Sequence, residues 1–156
     1  MRDLLAHPPA ALQAGRRVVI VGGSLAAIQL AEYLCAHDRF VTVLESGRTV
    51  AAEVGLKRRT EHMDRLDRLG VPLHVRANVH QITGNSVVFT PPYGGTRREL
   101  AADSVIITGR LEADTALFDA LTDRLSGAKV HAVGDCTGVG LIRKATDDGA
   151  RAACSV

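Results

Sequence analysis

VVIVGGSLAA, residues 18–27, decides how the rest of the chain is read. Its first four residues form a β-branched run of the kind buried on both faces of a parallel sheet. Gly22 and Gly23 break the run. From Ser24 onward Ala27, Leu30, Ala31 and Leu34 recur at helical spacing, with Ser24 placed to cap the helix. The stretch therefore predicts strand, tight turn and helix in immediate succession.

Working outward, FVTVL at 40–44 reads as a second strand with Glu45 at its carboxyl end, so a right-handed strand-helix-strand unit is expected. Residues 49–69 turn helical in their later half, where Leu56, Met63, Leu66 and Leu69 supply an apolar stripe and Gly70 a stop. Residues 72–82 read as the third strand. The runs 87–90 and 96–100 flank a Pro/Gly turn, PPYGG, so a small antiparallel meander replaces the next helix. SVIIT at 104–108 is a further buried strand, followed by a short helix at 115–121 and a last strand at 129–133. Gly134, Asp135 and Cys136 then lead into a helix from about 141 to the end. Residues 1–15, broken at Pro8 and Pro9, read as a connector.

A chain of 156 residues can bury one sizeable core. With 46% hydrophobic residues, only 3% aromatic and no Trp, that core is built from Val, Ile, Leu and Ala. A net charge of +2, evenly scattered, argues against a track for nucleic acid. Three cysteines, Cys35, Cys136 and Cys154, with no CxxC, argue against a disulfide framework, a zinc or iron-sulfur site and a redox dithiol. No apolar run has the length of a secretion leader or a membrane span, so the expected compartment is the cytoplasm.

The chemistry lies at the glycine turn. In a phosphate-binding turn of this kind the first glycine makes the bend, the second lets a pyrophosphate approach the backbone, and the third lets helix and strand pack closely. Gly22 fills the first place, Ser24 stands in the second with a hydroxyl that can donate to phosphate, and Ala27 in the third. The helix behind them offers free N–H groups and the positive end of a dipole. Glu45 sits where an acid bonding a ribose 2′-hydroxyl is expected, and an acid there repels a 2′-phosphate. The predicted ligand is ADP or NAD(H) rather than NADP(H), with Arg48 nearby as a counterweight. The competing reading keeps Gly22 and Gly23 only for the turn, in a site that has lost its ligand.

Asp135, at a strand end before a helix, either accepts bonds from a sugar or ribityl hydroxyl or simply stabilises the helix start. The six histidines show no metal-ligand spacing, and no catalytic constellation emerges.

Taken together, GRRVVIVGGSLAAIQLAEYL, VTVLE, RLDRLG leading into VPLHV, ADSVIITGR with Leu117 and Phe118 after it, and VHAVGDC followed by LIRKATDDGARAA resemble one arrangement. It is the nucleotide-binding C-terminal region of the Old Yellow Enzyme-like multi-domain flavoproteins, of dienoyl-CoA reductase and trimethylamine dehydrogenase type, relatives of the pyridine nucleotide-dependent flavoprotein reductases. The resemblance implies an α/β fold, a Rossmann-like three-layer parallel sheet with a β-meander crossover. It implies a dinucleotide-binding domain over 16–132 and, over 133–156, the strand end and helix of a flavin-type domain. The implied cofactor site comprises Gly22, Gly23, Ser24, Leu25, Glu45, Ser46, Arg48, Thr108, Gly109 and Arg110, with Asp135 facing a flavin ribityl chain. FAD or FMN would then be held by a partner domain or subunit, because the chain has neither the FMN-bearing barrel, nor four cluster cysteines, nor a second glycine fingerprint. Two expectations follow: a fragment or subunit of an oxidoreductase that is not active alone, or a stand-alone, non-catalytic nucleotide-binding or assembly module.

Overall fold

A computed structural model describes residues 13–109, 111–125 and 127–155. They form two compact units, one ending at Gly109 and one beginning after it.

In the first unit β1 (Arg17–Val21) is flanked on one side by β2 (Phe40–Glu45) and on the other by β7 (Ser104–Ile107), all parallel. The pairing aligns Ile20 with Val43 and Ile106. Adding β3 (Leu73–Val75) outside β2 gives the order β3-β2-β1-β7. Because side chains alternate along a strand, β1 serves two cores. Val18 and Ile20 join Val41 and Val43 beneath α1 (Leu25–Cys35), which buries Ala27, Ile28, Leu30, Ala31 and Leu34 against them. Val19 and Leu44 face the other way, onto Val87 and Phe89.

Those last two residues belong to β5 (Ser86–Thr90), the centre of an antiparallel meander between β4 (Asn78–Ile82) and β6 (Arg98–Ala101). Helices cover one face of the parallel sheet and the meander the other, which makes the expected three-layer α/β arrangement of Rossmann type. α2 (Leu56–Arg68) docks through Leu66 and through His62, whose Nδ1 lies 2.7 Å from Glu32 Oε1 on α1. The anticipated stripe is only partly used: Leu56 and Leu69, at the two ends of the helix, are exposed.

The strand expected over 72–82 is two strands in two different sheets. Arg76, in the left-handed region at φ 54°, turns the chain out of the parallel sheet. Its N–H donates to the Gly47 carbonyl and that of Ala77 to the Glu45 carbonyl, so the end of β2 anchors the switch.

The second unit contains α3 (Ala116–Arg124), a 3-10 turn (Gly134–Thr137) and α4 (Ile142–Ala153). Residues 129–133 form no regular element and not the expected strand, since strand pairing needs a neighbour and none is present among the described residues. No described helix is long and apolar enough to cross a membrane.

Candidate functional site

The carboxyl ends of β1, β2 and β7 bring the predicted residues together. Gly22 follows β1 at φ 107°, and a Cβ there would stand 2.3 Å from Thr108 Oγ1 and 2.4 Å from the Thr108 carbonyl oxygen. Only glycine fits. The Gly22 N–H donates to the Leu44 carbonyl at 2.8 Å, while the Thr108 N–H and hydroxyl both donate to the Val21 carbonyl, at 2.8 and 3.1 Å. The turn is thus tied to both neighbouring strands.

Gly23 is crowded by side chains rather than by backbone, for a Cβ would meet Val50 Cγ1 at 2.6 Å. Its N–H donates to Glu45 Oε2 at 2.5 Å, and the Gly47 N–H donates to Glu45 Oε1 at the same distance. The Ser46 hydroxyl reaches Oε1 at 3.4 Å. Glu45 therefore fastens the β2 end to the glycine turn, with lone pairs left over for a hydroxyl donor.

Ser24 acts as the helix cap: its backbone is extended and its Oγ accepts from the Ala27 N–H at 3.3 Å. The hydroxyl thus faces the first turn of α1. The next N–H, that of Leu25, donates to Glu53 Oε1 at 2.5 Å. Glu53 lies in the loop after β2, held there by buried Val50, Ala51 and Val54. Sequence reasoning missed it, although the apolar spacing of Val50 and Val54 marks the loop as packed rather than free.

Beside these groups a cleft of about 380 Å³ is bounded by Val21, Gly22, Leu44 and Ser46, by Ala77, Asn78 and Val79, and by Ile107, Thr108 and Gly109. Its walls are mostly apolar. Arg48 is exposed on the same loop as Ser46. Arg110 lies outside the described residues.

Asp135 belongs to the second unit, where its Oδ1 accepts from the Gly140 N–H at 3.1 Å. The 3-10 turn that carries it is pinned from α4: Asp148 accepts from the Gly134 N–H and the Thr137 hydroxyl, and Lys144 donates to the Gly134 carbonyl. The Lys144 ammonium above all, aided by Thr137, the Gly134 N–H and Arg151, holds the Asp148 carboxyl well below the usual carboxylate range against an opposing effect of burial.

Residues 4–149 match the family model of the pyridine nucleotide-disulphide oxidoreductases. Among curated proteins, the nitric oxide reductase FlRd-NAD(+) reductase of Escherichia coli is 28% identical over 141 residues, which is 80% of this chain and 36% of that protein. The chain thus spans little more than a third of that relative's length. A solved 2-naphthoyl-CoA reductase in complex with 2-naphthoyl-CoA superposes with a TM-score of 0.83 at 28% identity, over 95% of this chain and 22% of the other. Histamine dehydrogenase from Rhizobium sp. 4-9 shares the fold, with a TM-score of 0.79 at 24% identity over 97% of this chain and 25% of its own. The chain belongs to the pyridine nucleotide-disulphide oxidoreductase family.

Proposed function

We propose that this chain is the adenine-nucleotide-binding domain of a flavoprotein oxidoreductase of the Old Yellow Enzyme-like kind, taking ADP or NAD(H). One observation carries the reading: the backbone donors of the glycine turn and of the α1 start each meet a carboxylate, Gly23 that of Glu45 and Leu25 that of Glu53. The fit is supported by a seat already answered by anions, since both Gly23 and Leu25 donate to carboxylates. In this reading the Leu25 N–H and the helix dipole hold a pyrophosphate. Glu45 accepts from the ribose 2′-hydroxyl and disfavours a 2′-phosphate, and exposed Arg48 moderates that preference.

When bound, a nicotinamide nucleotide supplies reducing equivalents; the chain's own task is to orient it, with no acid or base of its own in the step. Asp135 and its pinned turn face the ribityl chain of a flavin held by a partner domain or subunit. This part of the proposal is supported by the second unit, in which Gly134 is the only buried residue among those described, and by the fraction of the relatives that the chain spans.

The test is mass spectrometry of small molecules released on denaturing freshly purified protein, followed by calorimetric titration with ADP and NADH. Recovery or binding of either supports the reading; an empty protein that binds neither sinks it. NADH-driven turnover of an electron acceptor, in the presence of a flavin-bearing partner, then separates an enzyme domain from a non-catalytic module.

A further inference from the structure

Glu53 stands on a donor that the proposed nucleotide needs. Leu25 is the first residue of α1, an 11-residue helix, and its N–H has no partner within the helix. Glu53 Oε1 accepts from it at 2.5 Å, a charge-assisted contact on the positive end of the helix dipole. This acid is distinct from Glu45, whose two oxygens are engaged by Gly23 and Gly47.

The backbone that carries Glu53 is fixed. Ala51 and Val54 are buried in the helix-side core, and the Ala51 N–H donates to the Gly23 carbonyl at 2.6 Å. The Glu53 side chain is exposed. A rotamer change can therefore vacate the Leu25 N–H with the loop still in place, at the cost of one contact.

We infer that Glu53 is a tethered competitor for the pyrophosphate seat, so that nucleotide affinity is set by exchange of one anion for another at the Leu25 N–H. The inference rests on the nucleotide reading above and adds to it a residue that tunes affinity. Whatever free energy the carboxylate gains at the helix start is subtracted from binding, and typical values for a charge at that position correspond to roughly two- to fivefold in affinity.

The experiment is calorimetric titration of the whole chain with ADP and with NADH at one ionic strength, comparing wild type with Glu53→Gln, Glu53→Asp and Glu61→Gln. Glu53→Asp keeps the charge but shortens the reach, and Glu61→Gln removes an exposed charge on α2 as a control for long-range repulsion. Expected are a gain of roughly two- to fivefold for both Glu53 variants and none for Glu61→Gln. Wild-type binding with no gain in Glu53→Gln overturns the inference alone. So does a gain in Glu53→Gln that Glu53→Asp lacks, since charge and not occupancy would then be responsible. Absence of binding by every variant, with thermal unfolding intact, overturns the nucleotide reading and the inference with it.

Discussion

The two units of the chain solve the same problem in opposite ways. Up to Gly109, alternation along β1 and β2 feeds two apolar clusters, and residues such as Ile20, Leu30 and Phe89 are wholly buried. Beyond it, helices of ordinary pattern leave Leu117 and Ile142 exposed at 72% and 86%. There, order rests on local hydrogen bonds and on the Lys144–Asp148 network around the 3-10 turn. A helix's apolar face stabilises only when a second surface covers it. The first unit contains both surfaces, whereas the second presents one.

The contrast is broken most directly by paired truncations. Ile20→Ala should cost about 3–5 kcal/mol in urea unfolding, and Ile142→Ala less than about 0.5 kcal/mol; equal costs would abolish the distinction. Glycine substitutions come next and should differ in sign. Gly22→Ala forces an L residue to φ 107° and into Thr108, so a loss of at least about 1–3 kcal/mol is expected, together with nucleotide binding. Gly149→Ala, in the interior of α4 with nothing within 4 Å of the added Cβ, should instead stabilise its helix by roughly 0.5–1 kcal/mol, read as increased helicity on heating. Ser24→Ala should cost about 1 kcal/mol as a lost cap and Ser24→Gly only a few tenths, by thermal unfolding. A much tighter nucleotide affinity in Ser24→Gly would mean that the serine marks a weakened site.

The smallest effect is on pH dependence in the first unit. Burial, followed by the charge of Arg98, lowers the His74 pKa from its ordinary 6.5. The unfolded chain therefore binds the proton more readily. Stability from neutral His74 is complete above about pH 6.5 and is lost as the pH falls through the folded value. Melting temperatures between about pH 7.5 and pH 5.5 should accordingly fall less steeply in His74→Gln than in wild type.

The course from β1 through Gly22, α1 and β2 to Glu45 was legible because each step has a local cause: β-branched runs, a turn only glycine can make, helical spacing and an acid at a strand end. The split at Arg76 was not, since a left-handed residue is signalled by Gly or Asn and here an arginine adopts it under restraint from the β2 end. The apolar run at 129–133 carries a strand's composition, but a strand exists only with a neighbour to pair with. Within the site, Gly22 and Ser46 share a cleft with Thr108 and Gly109, Gly23 is bonded to Glu45, and Ser24 and Leu25 follow as the start of α1. Glu53 escaped notice because its partner is a backbone N–H, and no side-chain pattern announces such a partner.

β1 also has a history written into its pairing. Its neighbour β7 arrives late: Arg17 meets Asp103 across 86 positions and Val21 meets Thr108 across 87. Until β7 is made, the central strand has one open edge, and closing so long an intervening loop is slow relative to local structure. The meander shortens the search, since Val87 and Phe89 bring the chain back over Val19 before β7 is reached. On the ribosome, the strand that bears the glycine turn waits longest for its second neighbour, so chains cut short before Ser104 should be the aggregating species.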